Sequence, residues 1–210
     1  MIAKQSKRMR LLAGATVALG LCATSALAQE PFRLSSTTFS NDSTLPLSMI
    51  LNNQVNGVNT CTANGAPGGD QSPQLSWTGT PRGTRSFVVV LYDVTAAFTH
   101  WGMYNIAANV NQLPANAGKA GSAYGLEVEN DFGLGQQYDG PCPPANVPPD
   151  AHQYVFTVYA LSTPLVLPSS ANFPPNGETL YHALIEAGEQ GAILGKASLT
   201  GFFSSTPPAS

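Results

Sequence analysis

Hydrophobic residues lie in short runs along the chain, which predicts strands joined by loops rather than a bundle of helices. A continuous run of β-branched and aromatic residues covers 86–93, a second strand is predicted at 100–106, and a run of the same character as the first covers 153–161. Uninterrupted apolar runs are typical of strands that are covered on both faces of a sheet. We therefore predict that these three segments form the buried middle of a sheet. Further strands are predicted at 32–34, 47–51, 74–77 and 192–203.

One helix is predicted near the C-terminal end. Asn176 and Gly177 precede an apolar repeat at helical spacing, formed by Leu180, Ala183, Leu184 and Ala187. This pattern indicates an amphipathic helix over residues 178–189. Glycines and a proline make 63–70 a loop. The fold class predicted from these elements is mainly β, in the sense of a β-rich α+β domain.

The N-terminal segment 1–28 has the pattern of a secretory signal peptide. Four basic residues in the first ten are followed by an uncharged run and by the tripeptide Ala-Leu-Ala at 26–28. A membrane anchor is the first alternative, but the strongly apolar stretch is shorter than the ~20 residues that a span needs. Acylation of Cys22 is the second alternative, and the large Leu21 before this cysteine disfavours it.

The rest of the chain is expected to form one domain over 29–204, followed by a flexible tail at 205–210. About 180 residues remain after cleavage, which is near the usual size of a single domain. No internal repeat, charge block or Pro/Gly-rich linker separates two apolar regions. The domain is therefore expected to bury one core.

Charge excludes two classes of partner. Cleavage after residue 28 removes four of the nine basic residues and none of the twelve acidic ones, so the side chains that remain carry a net charge of −7. Such a chain has no basic stripe for nucleic acid, and anionic membranes repel it. We predict no nucleic-acid partner and no stable membrane insertion after cleavage.

Two cysteines remain after cleavage, Cys61 and Cys142. An even number of cysteines in an oxidising compartment predicts a disulfide, and the compartment expected here is periplasmic or extracellular. The bond would close a loop of about 80 residues, for which the chain-entropy model predicts roughly 4 kcal/mol of stabilisation. The cysteines have no C-x-x-C spacing, which disfavours a redox or zinc role, and no metal or other cofactor is predicted.

Candidate chemistry is concentrated at the ends of the predicted central strands. Asp93 ends the first of these strands, His100 begins the second, and His152 and Tyr154 project from one face at the start of the third. If the strands are neighbours, these side chains meet beside the Gly-Pro loop that begins at Gly140. Imidazole and phenol donors and backbone N–H groups near Gly140 could then bind a small anion. The alternative is that each histidine only satisfies loop carbonyls, and residue spacing leaves both interpretations open.

An enzyme is the alternative functional class. Asp93, His100 and His152 could form a hydrolytic or metal-binding set, because two imidazoles and a carboxylate can hold a metal and a histidine beside an aspartate can act as a general base. The chain has no G-x-S-x-G, H-E-x-x-H or G-x-x-x-x-G-K-[ST] motif. These absences favour a binding protein over a catalyst.

Several motifs in order resemble the phosphatidylethanolamine-binding protein (PEBP) family, in its bacterial YbhB/YbcL-type, Raf-kinase-inhibitor-like branch. They are an SPxLxW-like segment at 72–77, an aspartate at 93 followed by His-Trp at 100–101, and a Gly-Pro-rich loop at 138–144 followed by His-x-Tyr at 152–154. The matched segments run from about Ser72 to Leu161. Cys61 and Cys142 also look like the cysteine pair of exported bacterial members.

The resemblance implies a central antiparallel sheet, a smaller second sheet, a peripheral helix and a shallow pocket for phosphate-like or carboxylate groups. On matching positions it places Asp93, His100, Gly140, His152 and Tyr154 in that pocket. It also implies a binding or regulatory protein with a possible protein partner.

This chain departs from the family motifs at a few positions. One pocket carboxylate, two prolines and an arginine are replaced here by Val94, Thr95, Ala97 and Gln153.

Overall fold

The computed structural model describes residues 29–170 and 172–207, and the predicted signal peptide at 1–28 and the last three residues of the predicted tail lie outside this part. The strands are β1 (Arg33–Ser35), β2 (Ser43–Thr44), β3 (Gln54–Val55), β4 (Val58–Asn59), β5 (Leu75–Thr78), β6 (Ser86–Asp93), β7 (Phe98–Ala107), β8 (Gln112–Leu113), β9 (Leu126–Glu127), β10 (His152–Leu161) and β11 (Ile193–Phe203). The helices are a 3-10 turn at Leu47–Met49 and the α-helix α1 at Gly177–Glu189.

The long apolar runs form the middle of a six-stranded sheet with the order β2-β11-β10-β6-β7-β9. All of its neighbouring strands are antiparallel except β2 and β11, which are parallel. The prediction that the three apolar runs lie side by side is confirmed. A smaller sheet with the order β1-β5-β8 and a β3-β4 hairpin complete the β structure, so the fold is mainly β as predicted.

One face of the six-stranded sheet, called here the inner face, packs against the smaller sheet. Phe87 and Leu91 of β6 and Phe156 of β10 are fully buried in this interface, together with Trp77 of β5. The rings of Trp77 and Phe87 lie 5.1 Å apart between centroids. Alternation along each strand sends every second residue into this core.

The opposite, outer face is covered in part by α1. Leu180 and Leu184 of the helix pack with Val88 of β6 and Val128 in a second, smaller core. A capping box begins the helix, because Asn176 Oδ1 accepts from the Thr179 N–H at 3.0 Å and Thr179 Oγ1 accepts from the Asn176 N–H at 2.9 Å. The predicted helix is confirmed with a start one residue earlier.

The strand predicted at 47–51 is wrong, since the chain forms a 3-10 turn there. The Met49 N–H donates to the Pro46 carbonyl and the Ile50 N–H donates to the Leu47 carbonyl, so the backbone turns back on itself. This turn buries Met49 and Ile50 completely. A short apolar run is compatible with a strand or with a turn, and here the 3-10 turn is the conformation that buries Met49 and Ile50.

The packed part of the chain reaches past the boundary predicted at residue 204. The Ser205 side chain is buried, and its hydroxyl donates to the Cys61 carbonyl at 2.8 Å. Gln29, at the other end, donates from its side chain to the Thr80 carbonyl. In the part of the chain that the structure describes, no helix is both long enough and apolar enough to span a membrane.

Candidate functional site

The register of β6 and β10 brings an aspartate and a histidine together at one end of the inner face. Tyr154 lies opposite Asp93 in the ladder, and His152 is two residues earlier on the same face of β10. His152 Nδ1 lies 2.6 Å from Asp93 Oδ2, and both side chains are buried. An ionised carboxylate only accepts hydrogen bonds, so the imidazole donates from Nδ1 and keeps Nε2 for other partners.

The turn after β6 holds the second oxygen of Asp93. Asp93 Oδ1 accepts from the N–H groups of Thr95 at 2.8 Å and Ala96 at 3.1 Å. Thr95 Oγ1 in turn accepts from the Gln153 N–H at 3.0 Å. Although the family prolines and second aspartate are missing here, short hydrogen bonds still tie this turn to β10 and orient the carboxylate.

His100 is oriented by the loop that precedes the Gly-Pro segment. Its Nδ1 lies 3.0 Å from the Asp139 carbonyl oxygen, and a carbonyl only accepts, so Nδ1 carries the proton. Burial lowers the pKa of His100, which keeps the ring neutral at neutral pH. Its Nε2 is therefore a hydrogen-bond acceptor.

Tyr154 contributes a buried phenol without a partner. Its hydroxyl makes no well-aligned hydrogen bond to any described residue, although it lies close enough to the Asp93 carboxylate for a poorly aligned one. Burial, followed by the negative charge of Asp93, raises the pKa of Tyr154, so the phenol keeps its proton. A buried hydroxyl without a partner costs ~1–3 kcal/mol, which a bound acceptor would relieve.

Asp93, His100, His152 and Tyr154 line one pocket of about 180 Å³, as the sequence predicted. Sequence reasoning missed two aromatic walls, Phe98 and Phe132, whose rings lie 4.9 and 5.3 Å from that of His100. Phe98 could have been found, because it stands two residues before His100 and strand alternation places both on one face. Phe132 carries no such signal in the sequence.

Gly140, the fifth predicted site residue, is not among the residues that line this pocket. Its N–H donates to Asp70 Oδ1 at 2.8 Å, so Gly140 itself has no free amide for a ligand, and a role for other N–H groups near Gly140 stays a prediction. A side chain here would collide with the Met49 carbonyl oxygen, so glycine is required for close backbone packing. Burial raises the pKa of Asp70 to about 6, while the hydrogen bond from Gly140 lowers it.

The predicted disulfide between Cys61 and Cys142 is present. Cys142 lines the pocket together with Pro143 and Pro144, and Cys61 is fully buried in the inner core. The bond therefore anchors one pocket wall to the core. Across residues 29–170 and 172–207, no group of three or more histidine, cysteine and acidic side chains is arranged to hold a metal ion.

The fold and the pocket define a class of protein: a β-rich domain with a small pocket of mixed polar and aromatic lining at one end of its central sheet. The sequence profile of the phosphatidylethanolamine-binding protein family matches residues 35–204, and the chain belongs to this family. Relatives named YbcL and YbhB further place it in the bacterial YbhB/YbcL-type branch.

Individual relatives agree with this assignment. The UPF0098 protein YbcL of Escherichia coli (strain K12) is 40% identical over 107 residues, which are 47% of this chain and only 57% of YbcL. The crystal structure of YbcL superimposes with a TM-score of 0.66 at 29% identity and covers 82% of this chain and 98% of that one. A putative lipoprotein, LppC of Mycobacterium tuberculosis (strain H37Rv), is 29% identical over 183 residues, or 86% of this chain and 76% of LppC.

Proposed function

We propose that this protein is an exported, non-catalytic binding or regulatory protein whose pocket holds a small phosphate-like anion, either free phosphate or a phosphorylated headgroup. The observation that carries the proposal is the Tyr154 hydroxyl, a buried donor in the pocket wall that makes no well-aligned hydrogen bond, even to the nearby Asp93 carboxylate. Buried polar groups in native proteins nearly always have a partner, so an orphan donor in a cavity favours a ligand acceptor.

The hydrogen-bonding roles around the pocket fit a phosphate group better than a carboxylate. Tyr154 donates and His100 Nε2 accepts. A phosphate that keeps one O–H offers both the acceptor oxygens and the single donor that such a set requires. A carboxylate in its ionised form leaves the His100 acceptor without a partner.

Three observations support export. The N-terminal pattern at 1–28 is that of a signal peptide, the fold contains a disulfide, and one relative is named as a lipoprotein. An exported protein does not meet a cytosolic kinase, so kinase inhibition is not part of this proposal. A protein partner would instead contact the loops around the pocket.

Calorimetric titration with inorganic phosphate, phosphoethanolamine and acetate tests the binding proposal. Tyr154→Phe removes only the orphan hydroxyl, so we expect an intact fold and a loss of phosphate affinity of about tenfold or more, as for a hydrogen bond to a charged group. Tyr104→Phe, which removes the hydroxyl of a tyrosine in the second core, is the matched control and should bind normally. Tighter binding of phosphoethanolamine than of phosphate would identify a headgroup. Unchanged phosphate affinity in Tyr154→Phe would refute the proposed site.

N-terminal analysis of the protein secreted or recovered from the periplasm tests export. We expect the chain to begin at Gln29. A lipid-modified N-terminal Cys22 would instead support the lipoprotein alternative, and an intact Met1 would contradict cleavage.

A second candidate function rests on the Asp93–His152 pair, because a histidine held by a carboxylate can act as a general base. Among the residues that line the pocket there is no serine or threonine, and Cys142 is in a disulfide, so the nucleophile would be water or a carboxylate, imidazole or phenol of the pocket. Hydrolysis of p-nitrophenyl phosphate and p-nitrophenyl acetate distinguishes the two functions. We expect wild type to hydrolyse these substrates no faster than His152→Gln. Hydrolysis by wild type that is lost in His152→Gln would favour the enzyme.

A further inference from the structure

The outer face of the six-stranded sheet carries a second cavity, larger than the phosphate pocket. Beside α1 a groove of about 470 Å³ remains open, with Val90, Val155 and Thr157 as its floor and Tyr181 and Leu184 of the helix as one wall. This volume falls within the ~300–1,000 Å³ that is typical of small-molecule sites.

The groove and the phosphate pocket are separated by the sheet. Val94 and Val155 line the groove, whereas their chain neighbours Asp93 and Tyr154 line the pocket. Consecutive strand residues face opposite sides, so a ligand in one cavity does not touch the residues of the other. A ligand of the inner pocket therefore does not occupy the groove.

Aromatic rings are one chemical feature of the groove. Tyr92, Tyr159 and Tyr181 all line it, and Tyr181 exposes 64% of its surface. Burial and the nearby Tyr181 raise the pKa of Tyr159, so its ring stays neutral. The faces of neutral aromatic rings attract organic cations.

Negative charge is the second feature, and it lies at the N-terminal end of α1. Asp131 and Glu178 both line the groove, and no lysine, arginine or histidine is among its lining residues. Glu178 and Tyr181 are three residues apart on α1, a spacing that places them on the same helix face. The two carboxylates outweigh the roughly half elementary positive charge of a helix N-terminus.

Two basic side chains lie near residues of the groove, but neither lines it. His182 Nε2 lies 3.8 Å from Glu178 Oε1, within ion-pair distance but beyond hydrogen-bond distance, and both side chains are exposed. Lys196 stands opposite Tyr159 in the β10–β11 ladder, but it is outside the groove lining. The Thr99 N–H donates to Asp131 Oδ2 at 2.7 Å and holds that carboxylate in place.

We propose that this groove binds a small organic cation with an apolar body, such as a quaternary or primary ammonium that carries an aromatic or alkyl group. The ammonium lies between Glu178, Asp131 and the ring of Tyr181, and the apolar body covers Val90 and Val155. Charge complementarity favours such a ligand over an anionic or neutral one of the same size.

Calorimetric titration of the purified protein with benzyltrimethylammonium, benzyl alcohol and benzoate tests the class of ligand. We expect saturable binding of the cation, weaker binding of the alcohol and the weakest binding of benzoate. Equal affinities for the cation and the alcohol would overturn the proposal, because the groove would then be merely apolar. Absence of saturable cation binding would overturn it as well.

Two pairs of variants locate the site. Tyr181→Ala should weaken cation binding about two- to fivefold, as expected for an exposed cation–π contact, whereas Tyr124→Ala, at another exposed tyrosine, should not. Glu178→Gln should weaken it about twofold, whereas Glu189→Gln, an equal change of charge on the same helix, should have no effect. Equal losses in Glu178→Gln and Glu189→Gln would show a long-range charge effect and refute the site.

The phosphate titration separates this inference from the function proposed for the inner face. Tyr181→Ala should leave phosphate affinity unchanged, and Tyr154→Phe should leave cation affinity unchanged. If either variant weakened both ligands, the two cavities would not be independent sites.

Discussion

The two faces of the central sheet are built from the same strands, but the side chains that line their cavities differ in chemistry. On the inner face, Asp93, His152 and Tyr154 continue rows of fully buried apolar residues and meet in a pocket where short hydrogen bonds hold the aspartate and the histidine. On the outer face, the neighbouring residues Tyr92, Val94 and Val155 are partly exposed beside a single helix. One face is therefore closed by a second sheet, and the other is left half covered.

This difference shows how strand alternation lets one pair of strands line two separate cavities. Polar groups on the inner face are oriented by backbone and disulfide contacts, which tolerate little movement. Contacts on the outer face are made by side chains of α1, which can shift. We therefore expect inner-face changes to cost more stability than outer-face changes.

The largest effect is expected from removal of the disulfide, which anchors a wall of the inner-face pocket. The Cys61→Ala/Cys142→Ala variant loses a cross-link over a sequence separation of 81 residues, so we expect the free energy of unfolding to fall by about 4 kcal/mol. Urea unfolding monitored by tryptophan fluorescence measures this loss in the free energy of unfolding. Phosphate affinity should fall as well, while cation binding in the outer groove should be retained if the protein is folded. Coincident unfolding curves for the variant and wild type would contradict this expectation.

Next in size is Gly140→Ala, also on the inner side. The added methyl group would collide with the Met49 carbonyl oxygen, and a backbone atom cannot move aside cheaply. We expect a loss of about 3 kcal/mol in the free energy of unfolding. The matched control is Gly133→Ala, where no atom lies within 4 Å of the added carbon, although its positive φ of 68° adds a smaller strain. A smaller loss at Gly140 than at Gly133 would contradict the proposed packing.

An intermediate, pH-dependent effect is expected at Glu127, on the edge strand β9. Its Oε1 accepts from Trp101 Nε1 at 3.0 Å in the inner core, and burial raises the pKa of Glu127 from 4.5 to about 7. The Glu127 carboxyl thus binds a proton more tightly in the folded state than in the unfolded state. The free energy of unfolding therefore falls as pH rises from about 4.5 to 7, and it stays lower above pH 7.

Glu127→Gln keeps the acceptor for Trp101 and removes the buried charge. We expect the variant to be about 2 kcal/mol more stable than wild type at pH 8.5 and similar to it at pH 4.5, as measured by urea unfolding at both values. Glu189→Gln, at an exposed helix position, is the control and should show no such pH dependence. A stability difference that is the same at both pH values would contradict a raised pKa.

The smallest effect is expected from Gly102→Ala, on the outer face. The added methyl group would lie 2.6 Å from Leu180 Cδ2 of α1 and from Val128 Cγ2, both of which are side-chain atoms that can yield. We expect a loss of about 1 kcal/mol, clearly below that of Gly140→Ala. Urea unfolding of the two variants side by side measures the difference. Equal losses would show that the outer face is as rigid as the inner one.

The fold could be predicted from the sequence wherever a pattern was long. The apolar runs at 86–93 and 153–161 are too long to be mistaken for a turn. The apolar repeat of the helix, at 180–187, predicted its structure equally well. The five-residue run at 47–51 was too short, and tertiary burial of Met49 and Ile50 made it a 3-10 turn.

The candidate site was predictable only in part. His152 and Tyr154 share a face by alternation, and Asp93 and His100 flank one turn, so their meeting required only that the strands be neighbours. The hydrogen bond from the Gly140 N–H was not predictable, because its acceptor, Asp70, is 70 residues away in the chain. The Phe132 wall comes from a loop without any periodic signal.

The sequence by itself determined the long central strands and the helix, a pair of cysteines that could form a disulfide, and four polar side chains that could share a pocket. These properties depend on local periodicity and composition. Only the tertiary structure decided that Gly140 serves backbone packing, that Tyr154 keeps an unpaired hydroxyl, and that a groove remains open beside α1. Those outcomes depend on strand register and on contacts between residues far apart in the chain, which no local pattern encodes.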